Sequence, residues 1–389
     1  MKIFSTFLLL FSAHLVGAIQ TSNGTAAHPS LNVTAAIPYL SELDHWVRQK
    51  SEGKAKCNKL RTRVEWRNLT PTQRQSWIDA HWCLTTRPSV LAGAETNLDG
   101  FKTSLYDDFS LVHIKINNKM HFTAAFLPWH RMFILAHEKA MRECGYHGPI
   151  PYWHESIDAD EGNVFQSPIF SNDRGVGGNG TGDNGTVTSG PFAYFPLSYF
   201  NKPGDNWTVV SYEPHYLTRA FGSNILPNVT KGYEDAYNTT SIRRVLEDGG
   251  DDFIKFHQLL EGILGRRDLV GIGPHDTVHR VIGGDMITPT SSYEPLFFPH
   301  HANVDRIWWN WQNGATSDIG PPPRTINQSD LNSRFWAYSG NTVLYSEDPT
   351  GGPSASLFDV QTVLGLLVPN MKTYELMDIE RPPLCYTYD

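Results

Sequence analysis

The sixteen histidines of this 389-residue chain are gathered into two segments instead of being spread along it. Residues 113–154 hold six and residues 275–301 hold four, so 69 residues contain ten histidines where an even distribution would give about three. Imidazole is a common metal ligand, and it binds copper, zinc, nickel and iron alike. The distribution therefore predicts two metal-binding groups that the fold must bring together from distant parts of the chain.

The second segment carries the sharper pattern. His275 and His279 are four residues apart, so on a helix their rings lie on one face, about one turn apart, and can bind one ion. Two ligands do not complete a protein shell, and His300 or His301 on a following helix would supply a third. The alternative is a pair of packed or surface histidines without a ligand role.

In the first segment His113, His121 and His130 are separated by eight and nine residues, a spacing that no single helix face explains. His130 lies at the start of an apolar helix, where burial of a polar ring is unfavourable unless the ring is used. His137, two turns further along, is a rival ligand by geometry. Each histidine taken alone is better explained as a packed core residue, but the second cluster favours the ligand interpretation.

The surrounding residues favour redox chemistry over hydrolysis. Neither HExxH nor GxSxG occurs in the chain. Hydrolytic zinc sites usually combine an open coordination position with a nearby acidic base. Two groups made of imidazole alone instead predict work with dioxygen.

Composition limits the class of protein. There are 32 basic and 40 acidic residues, so the net charge is −8, which argues against a nucleic-acid partner because phosphate binding needs a basic face. Hydrophobic residues make up 40% and charged residues 19%, which is enough for a large core and excludes an intrinsically disordered chain.

The first residues predict export from the cell. Lys2, the apolar run over residues 3–11 and the small residues 16–18 are typical of a secretory signal peptide over residues 1–18, which is too short to span a membrane.

Four cysteines in an oxidising compartment predict two disulfides. Three pairings are possible, and among them we favour Cys83 with Cys144 and Cys57 with Cys385, because the second bond would join both ends of the mature chain. N-linked glycans are expected at nine sequons: Asn23, Asn32, Asn68, Asn179, Asn184, Asn206, Asn228, Asn238 and Asn327.

Helical signals dominate the rest of the chain and predict a mainly α fold with long loops and a few short strands. Thr70-Pro71 is typical of a helix start, Asp99 or Asp107 would open the next helix, and a third helix runs from near Pro128 to Cys144. Further helical patterns cover residues 250–265, 275–282 and 294–312. The Gly- and Asn-rich residues 171–190 predict a surface loop, because nothing in them can bury itself.

Three stretches carry a resemblance to a known family. HFTAAFLPWHR (121–131), PHDTVHRVIGG (274–284) and FFPHHANVDRIWWNW (297–311) resemble the two copper-binding signatures of the tyrosinase and catechol oxidase family, in the right order. The resemblance covers roughly residues 70–389 and is greatest to the short secreted fungal polyphenol oxidases. It implies one catalytic domain over residues 19–389, built on a four-helix bundle that houses two copper ions.

The resemblance also implies the ligands and the reaction. His113, His121 and His130 would hold the first copper, and His275, His279 and His301 the second. His301 is preferred to His300 because the family's ligand lies four residues before the aspartate at position 305, and His137 becomes a packed residue. Such a centre uses O2 to oxidise o-diphenols to o-quinones, and in some members it also hydroxylates monophenols. An oxygen carrier of the haemocyanin type is the alternative function.

Three further residues have implied catalytic roles. Glu261 is the counterpart of a carboxylate that holds a water, with a helix-surface carboxylate as the alternative. Asp276 follows the first histidine of the second group and would accept a proton, while Arg280 would attract carboxylated phenols or solvate the rim. Arg306 is expected to brace the tyrosine motif at residues 386–388.

Overall fold

The structure is a computed structural model, and it describes residues 42–49, 56–91, 101–201, 208–223, 232–262 and 273–389. The predicted signal peptide, residues 1–18, lies outside the described residues. From Leu43 to Asp389 the chain clusters as one compact unit. Within the described ranges, no helix combines the length and the apolar character needed to cross a membrane.

Helices dominate the fold, as the sequence predicts. Those that build the core are, in chain order, α1 (Pro71–Thr86), α2 (Leu105–Met120), α3 (Phe126–Glu143), α4 (Glu155–Asp160), α5 (Thr239–Gly249), α6 (Phe253–Glu261), α7 (Pro274–Ile282) and α8 (Phe297–Gln312).

Local side-chain bonds fix where the first two of these helices begin. The Thr70 hydroxyl accepts from the Gln73 amide at 3.2 Å and the Gln73 side chain accepts from the Thr70 amide at 2.8 Å, so α1 starts as predicted. The prediction for α2 is wrong, because Ser104 is its cap and Asp107 lies three residues inside the helix. The Asp107 carboxylate accepts from the Ser104 amide at 2.7 Å, which completes a capping box. Asp99 lies outside the described residues.

Four helices converge on one apolar core. Every residue of α8 is buried, and α8 packs against α3, which is buried over most of its length. Val112 of α2, Phe133 of α3, Val278 of α7 and Phe297 of α8 belong to the same cluster of buried side chains. These are also the helices that carry the clustered histidines, so packing of their apolar faces brings the histidines together.

Short strands tie the two ends of the described chain to this core. β1 (Arg61–Glu65) lies between β2 (Pro151–Tyr152) and β7 (Tyr386–Tyr388), and it pairs in parallel with both. Two antiparallel pairs complete the described strands: β3 (Pro196–Phe200) with β4 (Ser211–Tyr216), and β5 (Val360–Gln361) with β6 (Met371–Lys372).

A buried carboxylate on α8 joins these strands to the helices. Asp305 accepts from Arg131 on α3, from Arg63 on β1 at 3.1 Å, and from the hydroxyls of Tyr386 and Tyr388 on β7. Burial raises the pKa of the Asp305 carboxyl, but the two guanidinium groups outweigh it and hold that pKa below its usual value. The negative charge of Asp305 inside the core is therefore paired with the positive charges of Arg131 and Arg63.

Arg63, not Arg306, braces the tyrosine motif, so that prediction is wrong. The Arg63 guanidinium lies 3.6 Å from the centre of the Tyr386 ring. Arg306 instead donates to the Asp318 carbonyl at 2.7 Å and lies over the Tyr152 ring. Adjacent residues on a helix point in directions about 100° apart, so Asp305 and Arg306 reach different partners.

The Gly- and Asn-rich residues 171–190 are anchored to the core, contrary to the expectation that nothing in them is buried. Val176 and Val187 have no exposed surface. Arg219 pairs with Glu294 at 2.7 Å and donates to the carbonyls of Val176 and Gly177, both at 2.8 Å. Backbone carbonyls of this segment thus accept hydrogen bonds from the buried Arg219 guanidinium, a role that the composition of the segment does not reveal.

Both predicted disulfides are confirmed. Cys83 on α1 is bonded to Cys144 at the end of α3, and Cys57 is bonded to Cys385. The second bond joins positions that are 328 residues apart.

Candidate metal centre

The first histidine group comes from two helices and the turn between them. His113 lies in the middle of α2, His121 is the residue that ends this helix, and His130 lies one turn into α3. One ring nitrogen from each of the three can be chosen so that all lie within 4.8 Å of one another. The spacings of eight and nine residues are explained by the reversal of the chain between α2 and α3.

The second group contains four histidines. His275 and His279 lie one turn apart on α7, and His300 and His301 are adjacent on α8. Their ligand atoms also lie within 4.8 Å of one another, and the Nε2 atoms of His279 and His301 are 3.3 Å apart. Both alternatives that the spacing left open, His300 and His301, are therefore present in the group.

Rings of the two groups lie directly against each other. The rings of His130 and His301 stack with centroids 4.1 Å apart, and those of His121 and His275 are 6.3 Å apart. Phe297 packs against rings of both groups, with centroid distances of 5.3 Å to His113 and 4.1 Å to His301. This phenylalanine was not singled out from the sequence, because its role depends on the packing of α8 against α2.

Backbone carbonyls orient three of the rings. The Nδ1 atoms of His113, His130 and His279 lie 2.7, 2.8 and 2.6 Å from the carbonyl oxygens of residues 289, 126 and 286. A proton on Nδ1 that is donated to a carbonyl leaves the Nε2 lone pair free for a metal. In the described part of the chain, the buried Nε2 atoms of His113, His130, His275 and His300 have no hydrogen-bond partner. Several buried ring nitrogens that lack a hydrogen-bond partner and lie close together fit the binding of two metal ions.

The rings are neutral in the folded chain. Burial lowers the pKa of His113, His279 and His300 to about 3. Burial, reinforced by neighbouring histidines, places the pKa of the remaining four well below its usual value: His121, His130, His275 and His301. Neutral imidazole is the form that binds metal, so protons do not compete for these nitrogens near neutral pH.

Glu261 is buried at the end of α6, so its interpretation as a helix-surface carboxylate is wrong. One carboxylate oxygen accepts from the Phe122 amide at 2.6 Å, next to His121. In the described part of the chain the other oxygen has no hydrogen-bond partner, and it lies 3.7 Å from Nδ1 of His257. Burial raises the pKa of the Glu261 carboxyl well above its usual value. A carboxyl in this environment is suited to hold a proton.

Asp276 and Arg280 form an ion pair on α7. The Arg280 Nε atom lies 2.7 Å from the Asp276 carboxylate, and each side chain keeps about a fifth of its surface exposed, 22% and 23% respectively. Asp276 directly follows His275, so the pair lies beside the second group. The structure therefore brings both residues to the site, but joined to each other.

Two buried carboxylates that contact other histidines were missed in the sequence. Glu155 accepts from Nδ1 of His300 and from the side chain of Asn303. Asp318 lies 2.9 Å from Nε2 of His154. Both contacts join residues far apart in the chain, so no local pattern indicated them.

His137 is a packed residue, in agreement with the resemblance. Its ring stacks on Phe298 with centroids 3.4 Å apart and lies 5.1 Å from the ring of His81. Although His137 is on the same helix as His130, it is not part of either group of possible ligands.

A helical bundle that gathers two facing groups of neutral imidazoles defines a dinuclear metalloprotein, and known proteins identify its class. Residues 103–314 match the family model described as the common central domain of tyrosinase. The tyrosinase-like protein phomQ1 of Diaporthe leptostromiformis is 32% identical over 343 residues, which cover 86% of this chain and 78% of that protein. Tyrosinase P of Aspergillus terreus is 30% identical over 365 residues, covering 86% and 93%.

Solved structures agree with these relatives. A polyphenol oxidase variant from Thermothelomyces thermophila has a TM-score of 0.69 at 28% identity, and the match covers 91% of this chain and 95% of that chain. A tyrosinase from Burkholderia thailandensis has a TM-score of 0.52 at 15% identity, which shows the shared fold. The chain belongs to the tyrosinase family. It is a copper-dependent polyphenol oxidase with the type-3 dicopper centre of that family, and the two histidine groups fit such a centre.

Proposed function

We propose that the chain oxidises o-diphenols to o-quinones with O2, at one copper bound by His113, His121 and His130 and a second bound by His275, His279 and His301. The observation that carries this proposal is the pair of facing imidazole groups with buried, unpaired nitrogens. When bound, a copper pair supplies the electron transfer that reduces O2, while each catechol gives up two electrons and two protons.

The protein itself orients the histidine rings and surrounds them with apolar side chains. Carbonyl groups behind His113, His130 and His279 hold these rings so that the lone pairs converge. Phe126 and Phe297 pack against rings of both groups and keep water from them. Because His121 is the least buried of the proposed ligands, the phenol enters from its side.

Two carboxylates are proposed to handle protons at this entrance. Glu261, which burial keeps basic, holds a proton or a water beside His121. Asp276 would accept the phenol proton more readily when its pairing with Arg280 loosens, because the guanidinium favours the charged carboxylate. Monophenol hydroxylation, which requires such a base, is proposed as a secondary activity.

We further propose that the protein is secreted and glycosylated. Two disulfides support an oxidising compartment. The side chains of Asn68, Asn179, Asn184 and Asn327 are exposed, as glycan acceptors must be. A shift in electrophoretic mobility after enzymatic deglycosylation of the exported protein tests the glycans.

A comparison of two histidine variants tests the ligand assignment. His130→Ala removes one proposed ligand of the first copper, so we expect copper to fall from two ions per chain to about one and oxygen uptake with catechol to cease. His137→Leu on the same helix is the matched control, and it should keep both coppers and most of the activity. Retained catechol turnover in His130→Ala would refute the assignment.

Steady-state oxygen uptake with catechol tests the proposed substrate. An enzyme consumes O2 continuously in the presence of catechol, whereas a carrier binds a fixed amount and stops. Initial rates on phenol and catechol, measured in parallel, give the balance of the two activities. A rate with catechol no greater than that with phenol would contradict the proposed preference for o-diphenols.

A further inference from the structure

An exposed phenyl ring stands at the least buried part of the metal centre. His121 is only partly buried, whereas the other six clustered rings expose 8% of their surface or less. Phe122, the next residue, exposes 46% of its surface, and its ring centroid is 6.4 Å from that of His121. Exposed apolar side chains also occur elsewhere on the surface, but this one lies beside a clustered histidine.

The backbone of Phe122 is also strained. Its φ angle is +56°, in the left-handed region that residues with a Cβ atom rarely adopt. Strain of this kind persists where the surrounding structure imposes it, and it is concentrated at functional sites.

Two buried polar side chains impose this conformation. Glu261 accepts from the Phe122 amide at 2.6 Å, and the Asn341 side chain donates to the Phe122 carbonyl at 2.9 Å. The Asn341 carbonyl in turn accepts from the Ala124 amide at 2.9 Å. Both peptide groups of Phe122 are therefore fixed by contacts from distant parts of the chain, and the phenyl ring is held outward beside His121.

A second aromatic residue provides a contrast. Tyr194 has a φ angle of +53° and exposes 53% of its surface, but it packs edge-on against Tyr216 on β4. In the described part of the chain, the ring contact recorded for Phe122 is with His121 alone. Phe122 thus presents an exposed aromatic ring beside His121, whereas the Tyr194 ring packs against another ring.

We propose that the Phe122 ring is a substrate-positioning surface that stacks against the aromatic ring of the incoming phenol. Its strained backbone fixes the ring beside His121, and its exposed face offers an offset or edge-to-face partner to a flat substrate. The proposal rests on the phenol oxidase function proposed above, and it makes Phe122 a determinant of affinity for aromatic over aliphatic rings.

Substitutions at Phe122 test this role with catechol as substrate and benzoate as a non-oxidised aromatic inhibitor. Phe122→Leu keeps the apolar character without the aromatic face, so KM for catechol and Ki for benzoate should each rise about 2- to 10-fold. The kcat should stay within about twofold of the wild type, and copper should stay at two ions per chain. Phe122→Tyr should retain wild-type KM and Ki, and Tyr194→Ala, the matched control, should leave both unchanged.

A glycine variant separates this role from a structural one. Phe122→Gly relieves the left-handed strain, so its thermal midpoint should be equal to or above that of the wild type while KM and Ki rise. A thermal midpoint of Phe122→Gly several degrees below that of the wild type would overturn the role of Phe122. Unchanged KM and Ki in Phe122→Leu, with an active wild type, would also overturn that role but would leave the proposed function in place. A wild type that binds copper but does not oxidise catechol would overturn the proposed function and this inference together.

Discussion

At the scale of single residues, we propose that the ion pair of Asp276 and Arg280 limits how well carboxylated phenols bind. Arg280 was expected to attract carboxylated phenols, but its Nε atom lies 2.7 Å from the Asp276 carboxylate. The two charges largely cancel for a substrate that approaches from solvent. An ion pair whose side chains keep about a fifth of their surface exposed is worth about 1 kcal/mol, so one substitution can change the charge at this position.

Asp276→Asn should therefore release the charge of Arg280. We expect KM for 3,4-dihydroxybenzoate to fall by about fivefold, which corresponds to about 1 kcal/mol, while KM for catechol changes little. Initial rates on the two substrates measure the effect. Arg280→Gln is the opposing variant and should not improve the carboxylated substrate, and an equal change for both substrates would contradict the charge argument.

At the scale of elements, the start of α2 positions the first histidine group. This helix carries His113 and ends at His121. Its first turn is held by Ser104 and Asp107, and Asp107 also accepts from the Tyr293 hydroxyl at 2.8 Å and from the Ser198 amide at 3.1 Å. One carboxylate thus connects the helix cap to the segment between α7 and α8 and to β3.

Removal of the two capping residues should have unequal effects. Ser104→Ala loses the hydroxyl contacts with the Asp107 amide and the Asp107 carboxylate, and it should lower the free energy of unfolding by about 1 kcal/mol. Asp107→Ala leaves several buried donors unpaired and should lower it by about 3 kcal/mol. Chemical denaturation of the metal-free protein measures both. Equal losses would show that the contacts of Asp107 beyond the cap contribute nothing.

At the scale of the whole molecule, buried neutral histidines make the metal-free fold sensitive to acid. His81 has no exposed surface, and burial lowers its pKa to about 4. The unfolded chain binds a proton on such a residue near pH 6.5, the usual value for histidine, so the unfolded state carries more protons between pH 6.5 and 4. The stability contributed by neutral His81 is therefore full above pH 6.5 and is lost as the pH falls toward 4.

His81→Leu should remove this part of the acid sensitivity. We expect the slope of the unfolding free energy against pH, between pH 6 and 4.5, to decrease by about 1 kcal/mol per pH unit. Denaturant unfolding of the metal-free protein at several pH values gives the slope. His147→Leu, at an exposed position, is the control and should leave it unchanged. The same slope in both variants would contradict the burial of a neutral ring at position 81.

The sequence by itself indicated the mainly helical fold, the helices that carry the clustered histidines, and the two segments that supply those histidines. Local rules suffice for His275 and His279 one turn apart and for the start of α1 at Thr70, because these features depend on neighbours within four residues. The copper signatures placed the remaining proposed ligands by their similarity to the family. Four cysteines predicted two disulfides and left three pairings open, of which the structure selects the favoured one.

Only the tertiary structure decided how these residues meet. The fold places His300 in the second group beside His301, and it brings Arg63 against the tyrosine motif. It also pairs Arg280 with Asp276. Contacts from Glu261 and Asn341 hold Phe122 in a strained conformation. Apart from the pair on α7, these contacts join residues that are far apart in the chain. Their partners are selected by helix packing and burial, which a single sequence encodes only through the whole fold.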